Sequence, residues 1–240
     1  MSKIDKSLFT KSEWQEIKET RRKEKIKDRS LKTPNKTAPI IDQRNSDTAF
    51  VIGNGTSRKN IDLKKLKTFG TVYGCNALYR EFVPDYLVAV DVKMVLEIAN
   101  TGYQHNNAVY TNYNKSYQKI DDLNYFQPSK GWSSGPTALW LASQHNFKKI
   151  FILGFDFKGL EDGKKFNNVY ADTKNYKRSK DAATFYGNWL RQTKTVITEN
   201  KRTNFFRVIT SDNFFPDELN NFHNFRNLYK EDLEKIFNLQ

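Results

Sequence analysis

A single cysteine, Cys75, stands among 240 residues, which excludes an intrachain disulfide and any zinc site built on cysteines. The three histidines, His105, His145 and His223, have no metal-ligand spacing; His145 falls near an expected helix end, where it would contact the last carbonyls. No run approaches the roughly 20 apolar residues needed to cross a bilayer. The first residues are polar, unlike a signal peptide. The expectation is a soluble, cytoplasmic protein, in the host cytoplasm if the chain is viral. The Gly-Lys-Ser or Gly-Lys-Thr of a P-loop is missing, which argues against an ordinary kinase or ATPase. No Ser-His-Asp set or nucleophile elbow is present.

Hydrophobic residues make up only 38%, yet 18 Phe, 12 Tyr and 4 Trp concentrate apolar area in large side chains and make a packed core attainable. The net charge is +13, which favours phosphates, acidic glycans or anionic surfaces as partners. Met1 to Ser46 carries 13 Lys and Arg against 7 Asp and Glu. Thr10 to Lys32 is rich in helix formers with only a thin apolar stripe, and Thr33 to Asp47 reads as a linker. Residues 1–47 are thus expected to be a basic helical arm and linker, a candidate contact for homo-oligomerisation, and residues 48–240 the folded domain.

From Thr48 onward short apolar runs alternate with helix-like stretches. The runs are Ala49–Ile52, Thr71–Tyr73, Tyr86–Val90, Ala108–Tyr110, Ile150–Leu153 and Phe206–Ile209. Continuous apolar runs suit strands covered on both faces. The clearest helical candidates are Pro136–Asn146 and Asp181–Glu199, and the stretch from Phe214 to Gln240 is expected to form one or two short helices. The fold class is therefore α/β, a doubly wound, mostly parallel, Rossmann-like sheet.

In such sheets ligands bind beyond the carboxyl ends of the strands. The residues there are Gly53-Asn54-Gly55-Thr56-Ser57-Arg58 after the first run, Gly74-Cys75-Asn76 after the second, Asp91 after the third and Gly154-Phe155-Asp156 after the fifth. Glycines flanking Asn54 let backbone N–H groups approach a phosphate, though a tight strand-to-helix turn also needs them for steric reasons. Ser133 or Ser134 caps a helix with Gly135 following and Pro136 at the first helical position, and a helix start at the crevice is an anion site. Asp91 and Asp156 each end an apolar run, where a charge must be paired or face a cleft. Asn167 to Trp189, with Tyr170, Tyr176, Lys177, Arg178, Tyr186 and Trp189, reads either as a lid supplying donors and cations or as ordinary packing.

The segments Phe50–Ser57, Gly74–Asn76, Trp132–Gly135 and Ile150–Phe157, with Pro84-Asp85-Tyr86 and Asp91, resemble the bacterial family 42 sialyltransferases. They are also similar to the related flagellin-modifying glycosyltransferases and 6-hydroxymethylpterin diphosphokinase-like proteins. The resemblance spans residues 48–160 and implies a nucleotide held by Gly53, Asn54, Gly55, Asn76, Ser134 and Gly135, near Asp156. In the sialyltransferases a CMP-linked donor is used without metal and a histidine acts as base. No histidine occurs between Asp156 and Asn204 here, so Asp172, Tyr176 or Asp181 stands in for it, or donor and acceptor differ, or the chain binds without catalysis.

The expected activity is glycosyl transfer from a CMP- or UDP-sugar with no metal or other cofactor. The Gly53–Arg58 turn and the Ser134 helix start hold phosphate, Asn76 reads base or ribose, and Lys177 and Arg178 stabilise the leaving phosphate. The acceptor is open, with DNA, as in phage-type modification, or an acidic glycan admissible on charge. Two alternatives stand beside it. One is a diphosphotransferase in which Asp91 and Asp156 hold Mg²⁺. The other is a non-catalytic assembly or virion component with a relic nucleotide site.

Overall fold

A computed structural model describes Asp47–Leu239, together with Gln15 and Glu19, which are helical. The basic arm, its role in self-association and the linker otherwise lie outside the described residues. The chain divides into two compact units, Met1–Ala38 and Pro39–Gln240; the sheet and its covering helices belong to the second.

The frame is an eight-stranded sheet: β1 (Thr48–Ile52), β2 (Thr71–Cys75), β3 (Tyr86–Val88), β4 (Ala108–Thr111), β5 (Leu123–Tyr125), β6 (Lys149–Leu153), β7 (Asn204–Ile209) and β8 (Phe225–Tyr229). The spatial order is β5-β4-β3-β2-β1-β6-β7-β8, and every pairing among them is parallel. The chain builds outward from β1 to β5, then returns to place β6 on the other side of β1. That reversal is the topological switch point at which open parallel sheets bind ligands.

Helices cover both faces. Alternation along β1 sends Phe50 and Ile52 to one face and Ala49 and Val51 to the other. On the first face lie α1 (Leu63–Lys67), α2 (Val92–Asn100) and α5 (Lys230–Ile236), through Leu66, Met94, Val95, Ile98 and Leu233. On the second lie α3 (Ser134–Gln144) and α4 (Gly187–Glu199), through Ala138, Leu139, Ala142, Val196 and Ile197. A file of rings crosses three adjacent strands on the first face: Phe50 stacks on Phe151 at 5.5 Å and Phe151 on Phe206 at 5.0 Å, while Phe237 packs edge-on to the first two. Covered strands of this kind explain why the apolar runs are nearly unbroken.

Four local expectations need correction. The stretch after Phe214 supplies an edge strand, β8, before its one α-helix; Phe225-Arg226-Asn227-Leu228-Tyr229 is buried at only one end, so it lacks the apolar run of a covered strand. Helix α4 starts at Gly187 rather than Asp181, because Asp181 and Ala182 sit in loop pairings. Pro136 is the third residue of α3, whose N-cap is Ser133. His145 caps α3, but its Nδ1 pairs with the Tyr73 hydroxyl rather than with a carbonyl, and burial lowers its pKa.

Candidate functional site

Beyond the carboxyl ends of β1, β2, β3 and β6 lies a cleft of about 210 Å³. Asn54, Asn76, Asp91, Ser134 and Asp156, spread over a hundred residues of sequence, all line it, with Gly53, Gly55, Ser133, Gly135 and Trp189. Its two sides are built differently.

On the β1–β6 side the polar groups satisfy one another. Gly53 and Gly55 donate their N–H groups to the carbonyls of Leu153 and Gly154 at 2.7 and 2.9 Å. A Cβ on Gly55 would stand 2.5 Å from the Asp156 carboxylate, so its first role is steric fit between two strand ends. Gly154 has φ +68°, the left-handed region that glycine enters without strain. The Asp156 carboxylate accepts the Ser57 N–H at 3.1 Å, the Ser57 hydroxyl and the Asn167 amide at 3.0 Å. Thr56 donates both N–H and hydroxyl to Asn167 Oδ1 at 2.9 Å. Thr56 and Ser57, their hydroxyls donated to Asn167 and Asp156, do not line the cleft. They border an adjoining polar cavity and fasten the floor.

Arg207 underlies this side, and sequence reasoning missed it. It is 1% exposed in the middle of β7 and donates to the carbonyls of Phe155 (2.8 Å), Phe214 (2.8 Å) and Asp156 (3.2 Å). Burial pushes its pKa down to about 10, with Asp156 opposing. A guanidinium in a strand covered on both faces requires such a set of acceptors. The signal was an arginine inside the apolar run Phe206–Ile209.

The opposite side leaves groups open. Asn54 is 9% exposed; its Nδ2 donates to the Tyr176 hydroxyl at 3.3 Å and to the Cys75 carbonyl at 3.4 Å, but its buried Oδ1 has no partner. An unmet buried acceptor costs about 1–3 kcal/mol, which a ligand donor would recover. Asn76 has φ +54° at the turn leaving β2, a conformation asparagine tolerates better than most side chains. Its Oδ1 accepts the Ser134 hydroxyl at 2.7 Å, and Ser134 Oγ accepts the Val90 N–H at 3.1 Å. That hydroxyl therefore staples the β2 and β3 ends to α3.

The N–H groups of Ser134 and Gly135 are first-turn donors with no intrahelical acceptor, and Ser133 makes no side-chain cap bond. Such donors at a helix start carry the positive end of the helix dipole. Asp91 caps α2 only through its main-chain carbonyl. Its side chain is exposed and makes no hydrogen bond among the described residues. Cys75 also lines the cleft, with its thiol pushed up to about 12 by burial, and it stays protonated.

The Asn167–Trp189 segment forms a wall of the cleft that is hydrogen-bonded to the strand ends and to the turn after β2. Val169 N–H bonds the Asn54 carbonyl at 2.8 Å. Arg80 reaches Thr173 Oγ1 and the Lys174 carbonyl, both at 2.9 Å, while holding Glu97. Asn168, Tyr186 and Trp189 face the cleft, the last two edge to face at 5.1 Å.

None of the five expected catalytic residues, Asp172, Tyr176, Lys177, Arg178 and Asp181, lines the cleft. Asp172 accepts the Ser179 N–H, Arg178 pairs with Asp181, and Lys177 donates to the Ala182 carbonyl, all as contacts internal to the loop. Tyr176 stands behind Asn54 with its hydroxyl against Asn54 and the Ala77 N–H. Burial raises its pKa and keeps the hydroxyl protonated.

Among the described residues no three His, Cys, Asp or Glu side chains group to hold a metal. The Asp156 carboxylate already accepts three donors from the floor. No protein-family model, no curated protein and no solved structure matches this chain.

Proposed function

We propose that the chain binds a nucleotide-activated sugar in this cleft and transfers the sugar. The observation that carries the reading is the convergence of Asn54, Asn76, Asp91, Ser134 and Asp156 on one opening at the switch point of a parallel sheet. The free N–H groups of α3 receive the phosphate, replacing the role expected of Lys177 and Arg178. Asn54 Oδ1 and Asn76 read the base or ribose, and Trp189 with Tyr186 gives a ring edge for the base. Asp91, the carboxylate of the cleft that makes no side-chain bond, takes the base role in place of Asp172, Tyr176 and Asp181.

A thermal-shift screen against CMP, UDP, GDP, ADP and their sugar conjugates tests this. At a ligand concentration 100-fold above Kd the gain is about 2.7 kcal/mol, a rise of several degrees. One nucleotide class should raise the melting temperature in the wild type and much less in Asn54→Ala. Absence of any shift at millimolar ligand sinks the reading.

A further inference from the structure

Asp91 and Asn76 line a second cavity as well as the cleft. This compartment, of about 340 Å³, lies between the start of α2 and the Asn175–Tyr176 part of the wall. We infer that it is the acceptor subsite and that it takes a saccharide hydroxyl; the inference rests on reading the cleft as the nucleotide-sugar site.

The first ground is placement. A general base must lie within hydrogen-bond reach of the acceptor hydroxyl, which itself has to meet the donor's anomeric carbon, and Asp91 stands where the two cavities adjoin, lining both. Asp156, the other carboxylate of the cleft, has its oxygens occupied by Ser57 and Asn167. In the step, the acceptor oxygen forms a bond to the anomeric carbon and its proton passes to Asp91. The bond from that carbon to the nucleotide phosphate breaks, and the electron pair leaves with the phosphate onto the α3 N–H groups.

The second ground is lining chemistry. Asn76, Asp91 and Lys93 offer amide, carboxylate and ammonium groups, Asn175 stands beside them with its Nδ2 held by Glu97 at 2.7 Å, and Val92 and Met94 are apolar. Mixed polar and apolar walls suit the alternating hydroxyls and C–H faces of a sugar. A DNA strand fits them poorly. Its backbone would meet the Asp91 charge, and the ring of Tyr176, the compartment's aromatic lining residue, is already covered by the Arg80 guanidinium at 5.8 Å and by Tyr170 at 5.6 Å; stacking platforms and basic grooves are what single strands need.

The test uses the full chain with methyl β-galactoside, methyl β-glucuronide and a thymidine-rich oligonucleotide as acceptors, and the donor found by thermal shift. Val92→Trp fills the compartment and should raise the KM for both glycosides at least tenfold, while the shifts with free nucleotide and donor stay as in wild type. Lys93→Glu, at an exposed position, should raise the KM for the glucuronide at least fivefold more than that for the galactoside. Unchanged KM values in both variants overturn the subsite, as does transfer to the oligonucleotide but to neither glycoside. Loss of the donor's shift with the free nucleotide's shift retained in Val92→Trp also overturns it, because the compartment then holds the donor's own sugar. A wild-type protein that binds no nucleotide overturns the parent reading and this one with it. By contrast, nucleotide binding with acceptor kinetics insensitive to both variants overturns this inference alone.

Discussion

The two sides of the cleft carry similar residues and treat them in opposite ways. Asp156, Ser57, Thr56 and Asn167 satisfy one another over the buried Arg207, whereas Asp91, the Oδ1 of Asn54 and the first N–H groups of α3 are left without protein partners among the described residues. Both sets end strands of the same sheet. The difference teaches that an aspartate or serine at a strand end is structural when its neighbours complete it and available for chemistry when they do not.

Substitutions that damage one side and spare the other sharpen this contrast. Asp156→Ala should cost most, about 3–5 kcal/mol in urea denaturation, because it strands buried donors and leaves Arg207 without its compensating charge. Gly55→Ala, which drives a Cβ to 2.5 Å from that carboxylate, should cost about 1–3 kcal/mol by the same assay.

Glu97→Gln should cost about 1–2 kcal/mol. Burial opposes the Glu97 charge, but bonds from Tyr79, Arg80 and Asn175 win and hold its pKa below the usual carboxylate value. Its contribution is therefore full above the unfolded pKa of about 4.3 and lost as pH falls through the lower folded value. In melts from pH 7 to pH 3 the wild type should lose its advantage over Glu97→Gln only below about pH 4.5.

Asp91→Asn should change stability least, within about 0.5 kcal/mol, while sugar transfer falls roughly 100-fold or more. A stability loss from Asp91→Asn as large as that from Asp156→Ala would erase the distinction between the two sides.

Six strands and the helices α3 and α4 were legible because covered strands and long helices impose continuous or periodic apolar patterns. The edge strands β5 and β8 were not, since Leu123-Asn124-Tyr125 and Phe225–Tyr229 are only partly covered and carry asparagine and arginine where a central strand would be apolar. At the site, the Gly, Asn, Ser and Asp residues following each run were found because the topology of a parallel sheet dictates where they go. Their separation into fixed and free groups was hidden, since it depends on partners such as Asn167 and Arg207 that are distant in sequence. For the same reason Asp172, Lys177, Arg178 and Asp181 read as reactive, although short turns make them neighbours of one another.

The Tyr176 hydroxyl has a further consequence. It touches the amide of Asn54 at the cleft and belongs to the loop tip that Arg80, Asn175 and Glu97 clamp to α2. Were a ligand to draw the Asn54 amide toward itself and loosen that tip, linkage would require whatever weakens the clamp, protonation of Glu97 included, to change the affinity for that ligand by the same factor.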